Sequence, residues 1–231
     1  MVKAGGLTHI GKVRKLNEDC FAVGENFALV SDGMGGHNKG EVASSLVVRM
    51  LTEKLKANIT KEELVKYVME VNRAVVQKAN TDFEYDGMGA TLVLACWNEY
   101  KVLIANVGDS RCYHIKNSEI TQITKDHSLV QMLLDNGEIT ENEALKSDKK
   151  HIIYRAMGGE DEAPDIFEVT ASKGDIFLLC SDGLSNMLEN DEILKIVGKS
   201  KNPELISEKL VKKANEKGGT DNITVATVIF D

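Results

Sequence analysis

The chain has 231 residues and a formal net charge of −8, with 42% hydrophobic and 28% charged residues. That length allows one sizeable domain, and that composition belongs to an ordinary globular protein rather than a disordered or fibrous one. The acidic balance disfavours a nucleic-acid partner, which needs a basic face, although a cluster of metal-binding carboxylates would itself produce such a charge.

Met1 to Ile10 lacks the apolar h-region of a signal peptide. Apolar stretches such as Ala90 to Trp97 fall far short of a membrane span. Cys20, Cys96, Cys112 and Cys180 are widely spaced, form no CxxC and sit in apolar runs. Buried reduced thiols in the cytoplasm are therefore expected, not disulfides or zinc. Prolines occur only at Pro164 and Pro203, no linker divides the chain, and one domain is expected over residues 1–231.

In chain order, β-type runs come first at Cys20–Val23 and Phe27–Val30. Gly40 to Lys56 then places Val42, Leu46, Val47, Met50 and Leu51 at helical spacing. A second helix opens on the capping-box pattern Thr60-Lys61-Glu62-Glu63 and continues through Leu64, Val68, Val71 and Val75. Strands are expected at Thr91–Trp97, Val102–Val107, Arg111–Ile115 and Glu119–Ile123. Short helices follow at Ser128–Asn136 and Asn142–Lys146, the latter after the capping box Thr140–Glu143. The last third reads as strands at Ile166–Val169, Ile176–Cys180 and Ile223–Ile229. Helices are expected near Glu192–Val197 and at Pro203–Asn215, with Asn202 as cap and Pro203 at the first helical position. This order is no regular βαβ alternation, so a doubly wound parallel sheet is disfavoured. Two packed sheets with helices outside each would cover both faces of strands so rich in β-branched residues.

Gly6 to Val13 almost spells a P-loop, but Val13 stands where the motif needs a magnesium-binding Ser or Thr. Asn38 breaks the dinucleotide fingerprint after Gly33-Met34-Gly35-Gly36. The histidines show no zinc spacing, and no cysteine lies in an electropositive setting suited to nucleophilic attack. What remains is a set of acids at strand ends. Ser31-Asp32-Gly33 and Ser181-Asp182-Gly183 each follow an apolar strand. A lone Asp-Gly reads first as a hairpin turn, but neither is followed promptly by a second alternating strand, and the recurrence points to a shared function. Glu18-Asp19, Asp109 and Asp221 occupy comparable places. Buried carboxylates repel one another unless neutralised, and oxygen-preferring Mg2+ or Mn2+ would neutralise them. Gly33 offers a backbone carbonyl at no steric cost. Two such ions about 3.5–4 Å apart can share a carboxylate and hold a hydroxide between them, so no covalent intermediate is required.

With these residues in hand, the chain resembles the 2C-type (PPM) metal-dependent Ser/Thr protein phosphatases, especially compact bacterial members. The matching segments are Gly11 to Asp19, Ser31 to His37, Gly108-Asp109-Ser110-Arg111, Ser181-Asp182-Gly183-Leu184 and Gly218 to Thr224, in the family's order. The resemblance implies an α+β fold, an αββα sandwich of two antiparallel β-sheets flanked by helices. It implies hydrolysis of phosphoserine and phosphothreonine by direct attack of a metal-bridging hydroxide, with two core Mn2+ or Mg2+ ions and a third, weaker one. By motif match Asp32 bridges the two core ions, Gly33 gives its carbonyl to one, and Asp182 and Asp221 hold the other. Glu18 and Asp19 support them, partly through water, while Asp109 with Asp182 holds the third ion. Arg14 matches the arginine that grips the substrate phosphate.

Met34 stands where eukaryotic members carry a histidine that protonates the leaving group. His37 or a metal-bound water is left for that role, and His37 fits a structural residue equally. Bacterial relatives often carry His-Pro in the flap, where this chain has Ser147-Asp148-Lys149-Lys150-His151. The expected partners are phosphorylated proteins, including a bacterial Ser/Thr kinase and its substrates, with no nucleic acid and no membrane, the chain acting as a monomer. The rivals are a regulatory module that has lost its ligands, and a phosphoesterase for nucleotides or small phosphates. The first conflicts with the complete acid set, and a nuclease would show a basic track.

Overall fold

The alternation of side chains along each strand decides how the layers stack. The computed structural model describes residues 1–35, 39–159 and 163–231. Its strands are β1 (Val2–His9), β2 (Asp19–Val23), β3 (Phe27–Met34), β4 (Gly89–Ala90), β5 (Leu92–Asn98) and β6 (Lys101–Val107). They continue with β7 (Arg111–Lys116), β8 (Glu119–Gln122), β9 (Asp165–Thr170), β10 (Ile176–Cys180) and β11 (Ile223–Phe230). The helices are α1 (Gly40–Lys54), α2 (Lys61–Ala79), α3 (Leu129–Asp135), α4 (Glu141–Lys146), α5 (Asp182–Ser185), α6 (Asn190–Val197) and α7 (Pro203–Glu216). One sheet runs β1-β11-β10-β7-β8; the other runs β2-β3-β5-β6-β9, with β4 paired to β3. All of these pairings are antiparallel.

Along β5, Leu92, Leu94 and Cys96 face α1 and α2, while Val93, Ala95 and Trp97 face the opposite sheet. Along β11, Ile223, Val225 and Ile229 pack under α6 and α7, and Ala226, Val228 and Phe230 meet the first set between the sheets. Apolar side chains on both faces explain why these strands read as unbroken hydrophobic runs. The result is helix layer, sheet, sheet, helix layer, as the resemblance implied. Among the described residues no helix is long and apolar enough to cross a membrane.

The helix starts follow their caps. Thr60 Oγ1 accepts from Glu63 N at 3.2 Å while Glu63 Oε2 accepts from Thr60 N at 3.0 Å, and Thr140 and Glu143 repeat the box. Asn202 Oδ1 accepts from Leu205 N at 2.8 Å ahead of Pro203.

Several elements depart from the sequence reading, among them β4, which lies ahead of the strand expected from Thr91. β1 forms along the edge of β11, where no strand was expected. β3 runs on through Ser31-Asp32-Gly33 to Met34, because Asp32 pairs with Asp19 and Gly33 with Ala90. Ser181-Asp182-Gly183 instead opens the short α5, with Ser181 as N-cap. The two Ser-Asp-Gly tripeptides thus have different backbones, and neither is a hairpin turn.

Candidate active site

Asp19 opens β2, and its cross-strand partner is Asp32 of β3. Directly opposed residues of an antiparallel pair point to the same face, so the register sets two carboxylates side by side, an arrangement that is repulsive unless compensated. Asp182 stands where β10 hands over to α5. Asp221 lies just before β11, and Asp109 in the turn between β6 and β7. Both sheets therefore deliver acids to one end of the sandwich.

The surroundings hold these groups tightly. Ser181 Oγ and Thr224 Oγ1 donate to Asp19 Oδ2 at 2.7 and 2.6 Å, whereas Asp19 Oδ1 is buried with no partner among the described residues. Asn186 Nδ2 donates to Asp182 Oδ2 at 3.0 Å, and Asp182 Oδ1 likewise has no hydrogen-bond donor among the described residues. Thr91 brackets Asp32, its Oγ1 accepting the Asp32 N–H at 2.9 Å and its N–H donating to the Asp32 carbonyl at 2.8 Å. Asn222 Oδ1 accepts from Glu18 N at 2.8 Å, while its Nδ2 donates to the Ile10 and Leu16 carbonyls, tying the Arg14 loop to β11. A Cβ on Gly33 would sit 2.1 Å from the Gly40 carbonyl oxygen, so only glycine lets α1 approach β3 here.

The charges register this crowding. Burial, and then the charges of Asp182 and Asp221, push the Asp19 carboxyl up to about 7 against the hydrogen bonds from Thr224 and Ser181. Burial and then Asp19 hold Asp32 well above the usual carboxylate range. Asp109 rises to about 7 through burial and the charge of Asp182, and Asp182 to about 6 through burial and Asp221. Glu18 is raised by burial and by Glu41, whose Oε2 is another buried orphan. Among the described residues no three such side chains already close into a coordination shell. Arg14 Nη2 binds Asp221 Oδ2 at 2.8 Å and so competes with any cation for that oxygen.

The structure thus brings Glu18, Asp19, Asp32, Asp109, Asp182 and Asp221 into one mutual field, with the half-exposed Arg14 at its rim. His37 lies outside the described residues. Met34 ends β3, and its thioether has no proton to give. The donor set suits a hard divalent cation: it is all oxygen, and buried oxygens of Asp19 and Asp182 have no hydrogen-bond partner among the described residues. Sequence reasoning passed over Asn222, Thr224 and Ser181 as supports, although all lie inside the motifs it quoted. It also passed over Glu41, which looks like any first-turn helix acid. Beside the cluster a cleft of about 850 Å³ is lined by Asp109, Arg111, Val130, Leu134, Asp182 and Met187, among others.

The profile of the protein phosphatase 2C family matches residues 6–203. The serine/threonine phosphatase Stp of Listeria monocytogenes is 43% identical over 97% of this chain and 94% of its own. The crystal structure of the Mycobacterium tuberculosis serine/threonine phosphatase PstP/Ppp gives a TM-score of 0.95 at 33% identity, covering 100% of this chain and 99% of that one. The PstP catalytic domain in complex with two manganese ions gives 0.91 at 33% identity, covering 99% and 97%. Motifs, fold and matches agree: this chain belongs to the protein phosphatase 2C family, serine/threonine phosphatases that depend on manganese or magnesium.

Proposed function

We propose that residues 1–231 act as a single catalytic domain that removes phosphate from phosphoserine and phosphothreonine in proteins, in one displacement by water. The observation that carries this reading is the buried acid cluster with its orphaned Asp19 and Asp182 oxygens, facing an arginine. Asp32, the Gly33 carbonyl, Asp182 and Asp221 would hold two divalent ions, with Glu18 and Asp19 supporting them and Asp109 serving a third. Bound there, such ions acidify water and neutralise charge that builds on the phosphoryl oxygens.

The chain's own residues bind and orient. Arg14 engages Asp221 through Nη2, and its planar fork has further N–H groups for a phosphate oxygen. A phosphoenzyme on cysteine is disfavoured, because burial pushes Cys96 and Cys180 up to about 12 and leaves their thiols protonated. Ser31 Oγ donates to the Thr91 carbonyl and Ser181 Oγ to Asp19, so both hydroxyl protons are engaged in structural contacts. The partners we infer are phosphoproteins, among them a bacterial Ser/Thr kinase whose signalling the chain opposes, with the chain a cytoplasmic monomer.

The test is hydrolysis of phosphothreonine and phosphoserine peptides against nucleotides, with Mn2+ or Mg2+ and with excess chelator. Peptide turnover with metal and none with chelator is expected. Full turnover in chelator, or preference for nucleotides, refutes the proposal.

A further inference from the structure

The turn that carries Asp109 is held from behind by a residue that the proposed chemistry does not use. Gly108 sits at φ +103, and a Cβ there would lie 2.7 Å from Thr91 Cγ2, so the turn needs glycine. Both of its backbone polar groups are bound by His127. The His127 N–H donates to the Gly108 carbonyl at 3.0 Å, and the Gly108 N–H donates to His127 Nδ1 at 3.0 Å. Asn106 Nδ2 adds a 3.3 Å contact to the same carbonyl. On the far side of the ring, Nε2 lies 3.1 Å from Asp165 Oδ2 and 3.2 Å from Arg155 Nη1.

These contacts fix the tautomer. A ring nitrogen that accepts an N–H carries no proton, so the proton of the neutral imidazole is on Nε2. Nε2–H then donates to Asp165 Oδ2, and Arg155 Nη1 gives its hydrogen bond to Asp165 Oδ1 at 3.1 Å. His127 is buried, its side chain only 3% exposed, so water does not compete for Nδ1. Asp165 begins β9 in one sheet, whereas the turn at Gly108 leads into β7 of the other. Asp165 is also the cross-strand partner of Asn106 on β6, the strand that the Gly108 turn leaves, so the relay sits where the chain passes from one sheet to the other.

We propose that His127 is a positioning residue: with Asp165 fixing its tautomer, its Nδ1 sets the Gly108 backbone and so aims the adjoining Asp109 carboxylate at the cluster. This rests on reading Asp109 as a metal ligand. A carboxylate next to a loosened peptide spreads over more orientations, and the weakest metal site feels that first. Outer-shell replacements cost about 10–100-fold in metal affinity or activity, and one acting through the backbone belongs near the lower end.

Two substitutions separate the two sides of the ring. His127→Asn keeps an acceptor near the Nδ1 position, whereas His127→Gln reaches the Nε2 position and leaves the Gly108 N–H without its partner. Either variant keeps the backbone half of the clasp. The 231-residue apo chain is titrated with Mn2+ by calorimetry, alongside Asp109→Asn. Asp109→Asn and His127→Gln should each weaken the weakest Mn2+ step by about tenfold or more, with His127→Asn within about threefold of wild type. In the wild-type chain, NMR should show a 15N–15N coupling across the Gly108 to His127 Nδ1 hydrogen bond. Equal losses in the two His127 variants mean a merely structural ring and overturn the inference. So does a His127→Gln isotherm that matches wild type while Asp109→Asn shifts, or a missing coupling, which needs no variant to fold. An unchanged Asp109→Asn isotherm refutes instead the reading of Asp109 as a ligand and takes the inference with it.

Discussion

Stripped of divalent metal, the chain should grow more stable as the pH falls from 8 to 6, against the usual behaviour of acids paired with bases. Asp19 and Asp109 are held at about 7 in the folded chain, and an unfolded aspartate titrates at about 3.9. Across this window the native state binds protons that the unfolded state does not, so stability drops as pH rises. For one group at about 7, integration from pH 8 to 6 gives about 1.4 kcal/mol. Two would give up to about 2.7 kcal/mol, less whatever the proton on one takes from the affinity of the other. For a chain of this size that is a Tm rise of about 3–11 °C. Saturating Mg2+ should invert the slope, since cations bind the ionised carboxylates and protons compete with them. The assay is a thermal melt at pH 6, 7 and 8 in chelator and in Mg2+, with Asp19→Asn beside the wild type. That variant should lose about half of the slope in chelator. A chelated wild-type Tm that is flat, or that falls towards pH 6, would mean that the acids are not crowded as described.

Asp32→Ala and Asp182→Ala should each cut hydrolysis by more than a decade, about 1.4 kcal/mol of barrier. Circular dichroism should stay unchanged, and the chelated Tm should hold or rise, because each removes a buried charge from the field. Arg14→Ala should raise KM by about one to two decades with a smaller fall in kcat, the loss of a charge-assisted contact worth about 1.5–3 kcal/mol. Steady-state kinetics on a phosphothreonine peptide check this, and unchanged parameters would leave Arg14 as a surface partner of Asp221. Gly33→Ala places a Cβ 2.1 Å from the Gly40 carbonyl oxygen and 2.6 Å from that of Glu18. Overpacking against backbone should cost about 1–3 kcal/mol or more, read as a lower Tm, and an unchanged Tm would mean that α1 moves freely away from β3.

Elements whose signals are local were legible. The Thr60 and Thr140 boxes and the Asn202-Pro203 start placed α2, α4 and α7 at their ends, since a cap is read within four residues. β1 was not legible, because Gly5-Gly6 in its middle removes the β-branched signal on which a strand is recognised. Contacts remote in sequence explain those glycines: a Cβ on Gly5 would lie 2.7 Å from Glu204 Cγ of α7, and one on Gly6 would lie 2.5 Å from Phe21 Cε2 of β2.

The candidate site divides the same way. Acids at strand ends can be found from sequence, but that Asp19 opposes Asp32 is a fact of register, and register is set by the apolar pattern of whole strands. In β2 and β3 that pattern places Phe21 opposite Val30 and Val23 opposite Ala28, facing the other sheet. Counting back by two from Phe21 and forward by two from Val30 lands on the two aspartates. The packing that stabilises the sandwich thus forces the like charges together, and sliding β2 by one residue along β3 would turn Phe21 and Val23 from the inter-sheet core to the helix side, with the smaller Cys20 and Ala22 in their place. The repulsion has no conformational escape, and what is left to relieve it is a proton or a cation. The acids therefore answer to both pH and divalent metal, and the same strand register that builds the core is what holds them ready to bind.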